Sequence, residues 1–145
     1  MTTLDQTWLE PAIGQKIYKI KTIQVATFVG GPLVAGYLMA ENYKVFNEYG
    51  KAKMAWVYSI IATIVIFGGI FLVPDSVKIP RIIIPLIYSW LTYLIVQQLQ
   101  GAQIKTHFTA GGQAYTIWRA LLIALIGTII TVAVIFGVLC LLPGD

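Results

Sequence analysis

ALLIALIGTIITVAVIFGVLCLL, Ala120–Leu142, contains no charged side chain. A bilayer's hydrocarbon core is about 30 Å thick and takes roughly 20 apolar residues of α-helix to cross. Working back along the chain, three more charge-free stretches occur at Ile23–Ala40, Ala55–Val73 and Ile82–Val96. The last of these is short, but it reaches spanning length if Pro80 and the Gln97–Gln98 pair lie at headgroup depth. The expectation is an all-α, polytopic membrane protein with four transmembrane helices, at 23–40, 55–73, 79–98 and 119–142.

Composition agrees. Hydrophobic residues make up 58% of the chain and charged residues 11%, against roughly 25% charged in soluble domains. With 145 residues, four spans leave no room for a second folded domain. The net charge of +4 is scattered between the apolar stretches. That surplus suits anionic headgroups, and no nucleic-acid partner is expected. A cleaved signal peptide is the rival for the first stretch. It requires a short basic start and small residues before the cut, whereas residues 1–22 are mostly polar and Leu38 precedes Ala40. The first stretch is therefore expected to be retained.

Residues 1–22 are expected to form an interfacial or polar segment. Leu9, Ile13, Ile17 and Ile20 follow helical spacing and Pro11 suits a first turn. A short helix lying on the membrane and a frayed tail both fit. In the first span, Ala26/Gly30, Gly31/Ala35 and Gly36/Ala40 set small residues four apart, which permits close helix approach in lipid. Pro32 should kink that span. Ser59 and Thr63 share one face of the second span, and Thr128 and Thr131 lie on faces of the fourth. These four hydroxyls are the candidate pore or packing face, although Ser and Thr in spans usually bond to their own helix or a neighbour. Lone Cys140 is expected to be a small packing residue.

The two halves of the chain look duplicated. Gly50, Ala52 and Trp56 align with Gly112, Ala114 and Trp118, and Val65–Gly68 recurs as Val134–Gly137. Two parallel-repeat helical hairpins would follow, with Trp56 and Trp118 at one membrane face. In that arrangement Lys16, Lys19, Lys21, Lys78 and Arg81 face one side, and Lys44, Lys51, Lys53, Lys105 and Arg119 the other. The cationic tie leaves sidedness open.

Catalytic chemistry is sparse. His107 is the only histidine and no carboxylate stands near it in sequence, so neither a nucleophile–base pair nor metal-ligand spacing is formed. No cofactor or metal is expected, and the chain is read as non-enzymatic. None of the four spans carries an ionisable residue, which argues against coupled transport. Glu41, at the end of the first span, is either a gate or an interfacial carboxylate paired with Lys44. Glu41, Lys44, His107, Trp56 and Trp118, in or beside the polar connectors 41–54 and 101–117, are the candidate partner contacts. The Gly30-Gly31-Pro32 span, the Asn42-Tyr43-Lys44 connector and the later His107…Gly111-Gly112…Trp118 connector together resemble those of small four-span bacterial membrane proteins. That resemblance implies a bacterial inner membrane and no particular activity. Two functions remain: a non-catalytic membrane subunit or scaffold that self-associates or binds another membrane protein in the lipid bilayer, or a small oligomeric channel or uncoupled transport protein.

Overall fold

The computed structural model describes residues 14–143. Its elements are α1 (Ile20–Gly30), α2 (Pro32–Val45), α3 (Tyr49–Leu72), α4 (Ile83–Thr109) and α5 (Ile117–Leu141). Among the described residues the only strand-like feature is an isolated parallel bridge between Ile17 and Ala114. The fold is all-α. Helices α3 and α5 are long and apolar enough to cross a membrane, with mean hydropathies of 2.2 and 2.8. Helix α4 is 27 residues long, but Gln97, Gln98, Gln100 and Gln103 dilute its apolar character.

The first apolar stretch does not run from one end of the molecule to the other. Residues 18 and 42 on one continuous helix would stand about 36 Å apart. Instead, the Tyr18 amide donates to Asn42 Oδ1 at 2.8 Å, and Asn42 Nδ2 donates to the Tyr18 carbonyl at 2.9 Å. The chain therefore reverses at Gly31, and α1 and α2 form a helical hairpin with both open ends at one end of the bundle. Gly31 has φ 83° and ψ −179°, a region open essentially to glycine alone. Pro32 then starts α2 at its first position, where a missing N–H costs nothing. The expected kink is a full break because a side-chain-free residue and a proline coincide.

The longer helices are arranged around this hairpin. Helix α2 packs along α3, α1 packs against α4 and α5, and α3, α4 and α5 make at most marginal contact with one another. The expected pair of repeated hairpins is thus corrected, since α4 and α5 meet on α1 rather than on each other. The aligned segments also differ. Gly50–Trp56 lies inside α3, whereas 112–116 is a non-helical lead into α5. The expected polar connectors are mostly helix. Helix α2 stops in a Schellman motif, with Asn47 at φ 58° and Glu48 N–H donating to Tyr43 O at 2.8 Å. Helix α4 stops the same way, with Gly111 at φ 88° and Gly112 N–H donating to His107 O at 2.8 Å.

The near end of the bundle carries the extended segment at 16–19, the turn at 46–48 and the loop at 110–116. The far end carries residues 73–82 and the end of α5. The helical spacing expected through Ile17 gives way to extended chain, with α1 starting at Ile20. Leu9, Ile13 and the rest of 1–13 lie outside the described residues. The reversal also redistributes charge. Eight of the ten Lys and Arg residues occupy the near end: Lys16, Lys19, Lys21, Lys44, Lys51, Lys53, Lys105 and Arg119. Only Lys78 and Arg81 occupy the far end, so the expected tie does not hold.

Candidate functional site

At the near end the extended segment around Ile17 and Tyr18 is held from two sides. Ile17 N–H donates to Gln113 O at 3.2 Å, and Tyr115 N–H donates to Ile17 O at 2.9 Å. Tyr18, facing the other way as alternation in extended chain demands, is held by the Asn42 carboxamide. Asn42 is fully buried, and its Nδ2 also reaches Gln100 Oε1 at 3.4 Å. Gln100, equally buried, donates from Nε2 to Met39 O at 2.9 Å. A buried amide costs several kcal/mol without partners; here each amide serves a backbone group of the hairpin. Ile17, Val96 and Ile104 supply apolar packing around them.

The Tyr18 phenol lies 4.6 Å, centroid to centroid, from the Tyr115 ring and accepts a hydrogen bond from Arg119 Nε at 3.1 Å. Burial raises its pKa above the ordinary 10.0, while the Arg119 bond and charge oppose that rise. His107 is buried. Its Nε2 lies 3.3 Å from Gln113 O, and its ring edge meets Phe108.

The hairpin tip is satisfied by the surrounding helices. Tyr88 OH donates to Phe28 O at 3.4 Å, Thr128 Oγ1 to Val29 O at 3.0 Å, and Ser89 Oγ to Gln24 O at 3.1 Å. Carbonyls at the end of α1 are left open by the break, and hydroxyls from α4 and α5 close two of them. Broken helices at membrane depth survive by this device.

Two grooves flank α3, because α3 makes at most marginal contact with α4 and α5. The larger, about 550 Å³, lies between α3 and α4 over α2, with Lys51 and Tyr43 at its near end and Pro32 and Ala62 at its inner end. The smaller, about 350 Å³, lies between α3 and α5 and is lined by Tyr37, Trp56 and Ile126 among others. Its lining includes no charged residue.

The four candidate hydroxyls do not converge. Ser59 and Thr63 on α3 bond to Trp56 O and Ser59 O, and Thr131 on α5 bonds to Gly127 O. Thr128 Oγ1 lies 2.9 Å from Ala124 O and 3.0 Å from Val29 O, so its single proton is shared between its own helix and the hairpin. Ser59 is buried against Gly36, where a Cβ would collide with the Ser59 side chain. Lys44 pairs with Glu41 at 2.7 Å on the surface. Trp56 packs edge-on to Tyr37 at 5.8 Å, while Trp118 is 76% exposed. Cys140 is exposed on α5 rather than packed. Among the described residues no three His, Cys, Asp or Glu side chains gather.

Sequence reading passed over Gln100, Tyr18 and Arg119. The available signal was two uncharged amides, Asn42 and Gln100, close to the apolar stretches of α2 and α4. The chain matches no protein-family model, no curated protein and no solved structure.

Proposed function

We propose that the chain is a multi-pass protein of a bacterial inner membrane and works as a non-catalytic subunit or scaffold. In this topology α3, α4 and α5 cross the bilayer, and the α1–α2 hairpin dips in from one side. The windows that qualify α3 and α5 as spans are only 6% and 11% buried. Core helices of a soluble protein would be covered, so lipid suits these surfaces better than water. Helix α1, eleven residues long, rises about 16 Å, roughly half the hydrocarbon thickness. By the positive-inside rule the near-end cations favour a cytoplasmic near end.

One observation carries the subunit reading: burial stops at the depth of the hairpin tip. Among the described residues nothing in α3 beyond Ser59, in α4 before Ser89 or in α5 beyond Gly127 is buried. Ile64, Val65, Leu86, Ile129 and Phe136 stand exposed on three separated helices. A second copy or another membrane protein that packs there would complete the bundle, as small-residue seams and shape fit do in lipid. Cysteine labelling in intact cells tests the topology in a Cys140→Ser background. Lys16→Cys and Asp75→Cys should react from opposite sides, whereas four full crossings would place them on the same side. Cross-linking from Ile64→Cys and Phe136→Cys tests assembly. Products should form at membrane concentrations, and a strictly monomeric protein overturns the subunit reading.

The channel alternative is favoured by the tip itself, where a side chain at Gly31 would meet nothing within 4 Å. Open space beside a broken helix at mid-membrane is where transporters place their sites. Ion or solute flux from liposomes holding the intact assembly separates the two readings.

A further inference from the structure

We infer that the groove between α3 and α4 is a binding site for one anionic phospholipid of the cytoplasmic leaflet, its acyl chain along α2 and its headgroup at Lys51. The site rests on the membrane topology proposed above. Its length is one indication. From Lys51 to Ala62 the groove follows eleven residues of α3, about 16 Å, and it ends at Pro32 where the hairpin turns. That depth matches a single leaflet, half of the roughly 30 Å core, so a chain entering from the near end fits without crossing the midplane. The volume of about 550 Å³ lies within the roughly 300–1,000 Å³ of small-molecule pockets.

The lining is graded in the same direction. Met39, Ala62 and Pro32 make the inner part apolar, and the Thr92 side chain is buried there. Tyr43 and Lys51 stand at the mouth, with Lys51 Nζ 5.9 Å from the centre of the Tyr43 ring. The Lys51 side chain is 57% exposed and, among the described residues, forms its one salt bridge with Glu48, at 2.9 Å. A phosphate at the mouth would share that ammonium with Glu48 rather than displace it, since Lys51 carries three donors and the Glu48 side chain, 27% exposed, keeps its bond at 2.9 Å. Charge complementarity picks this groove over the smaller one, whose lining holds no cation. It also picks the leaflet, since the cytoplasmic face is the anionic one.

Native mass spectrometry of the full chain, released from micelles containing equal phosphatidylglycerol and phosphatidylcholine with identical chains, tests the site. One phospholipid should be retained per chain, with phosphatidylglycerol preferred. Lys51→Gln should lower that preference about fivefold, the effect of one surface cation. Ala62→Phe should expel both lipids by filling the inner end, while Val57→Phe, at an exposed position of the same helix outside both grooves, should change nothing. Circular dichroism confirms that each variant is folded. Several results overturn the site: no retained lipid on a helical monomer, retention indifferent to Lys51→Gln and Ala62→Phe, or a dimer whose interface closes the groove. A chain that stays soluble without detergent would instead overturn the membrane topology itself.

Discussion

On the near side of Gly31, every long helix touches the hairpin, buried amides serve backbone groups, and Ile17, Ile23, Leu38, Val96 and Ala120 are fully covered. On the far side, α3, α4 and α5 continue with nothing between them and no covered residue. Composition does not explain the contrast, since both sides are rich in Ile, Val and Leu. The difference is that one side has an inserted element to pack on. In lipid, apolar character alone does not hold helices together; close fit and hydrogen bonds do. The near half has both.

This contrast predicts which residues matter for stability. Asn42→Leu should have the largest effect, because it strands both Tyr18 backbone groups at on the order of 1–3 kcal/mol each. Unfolding in micelles, followed by circular dichroism, measures it; a loss below about 1 kcal/mol would mean water reaches the strand. Gly31→Ala comes next. Forcing a Cβ into that backbone region should cost about 1–3 kcal/mol, and an unchanged melting temperature would show that the reversal is not as built. Gly36→Leu should push α2 from α3 and cost a further 1–3 kcal/mol or so by overpacking. In the far half, Val65→Ala and Phe136→Ala should alter the isolated monomer by less than about 0.5 kcal/mol. Their effect should fall on cross-linking yield instead, and large monomer destabilisation by either would erase the distinction between the halves.

The smallest effect concerns alkaline pH. Tyr18 binds its proton more tightly folded than unfolded. The stability it contributes is therefore complete below its unfolded value near 10.0 and is lost as pH rises through the higher folded value. Tyr18→Phe should remove that alkaline decline, read as melting temperature against pH, along with the Arg119 bond.

The apolar segments were legible because lipid demands long uncharged runs, and α3 and α5 came out within a few residues at most of their ends except at the start of α3. The reversal was not. Gly30-Gly31-Pro32 reads equally as a kink or as a turn, and what decides between them is a carboxamide at Asn42 meeting a backbone segment 24 residues earlier. Local spacing carries no trace of that meeting. Reading the first segment as running end to end then swapped the end of the bundle at which every later loop falls, so the cationic tie arose from one missed reversal. The site residues fared similarly. Ser59, Thr63, Thr128 and Thr131 were found by chemistry, but which carbonyl each serves depends on packing. Gln100 drew no reading from the sequence, and in the structure it holds α2 at Met39.

The bonds that close the hairpin tip carry a consequence for biogenesis. Its partners, Tyr88 and Thr128, lie 60 and 99 residues further along, and Tyr18 waits for Arg119, 101 residues away. A ribosome therefore delivers the hairpin first, at a stage when its open carbonyls have no donors from α4 and α5. On the topology proposed above, with the near end cytoplasmic, residues 16–30 would wait at that surface and slot in after α5 is threaded. Protease protection of nascent chains halted after Thr109, compared with complete ones, reads that order directly: Lys16–Lys21 should be cleaved in the former and shielded in the latter.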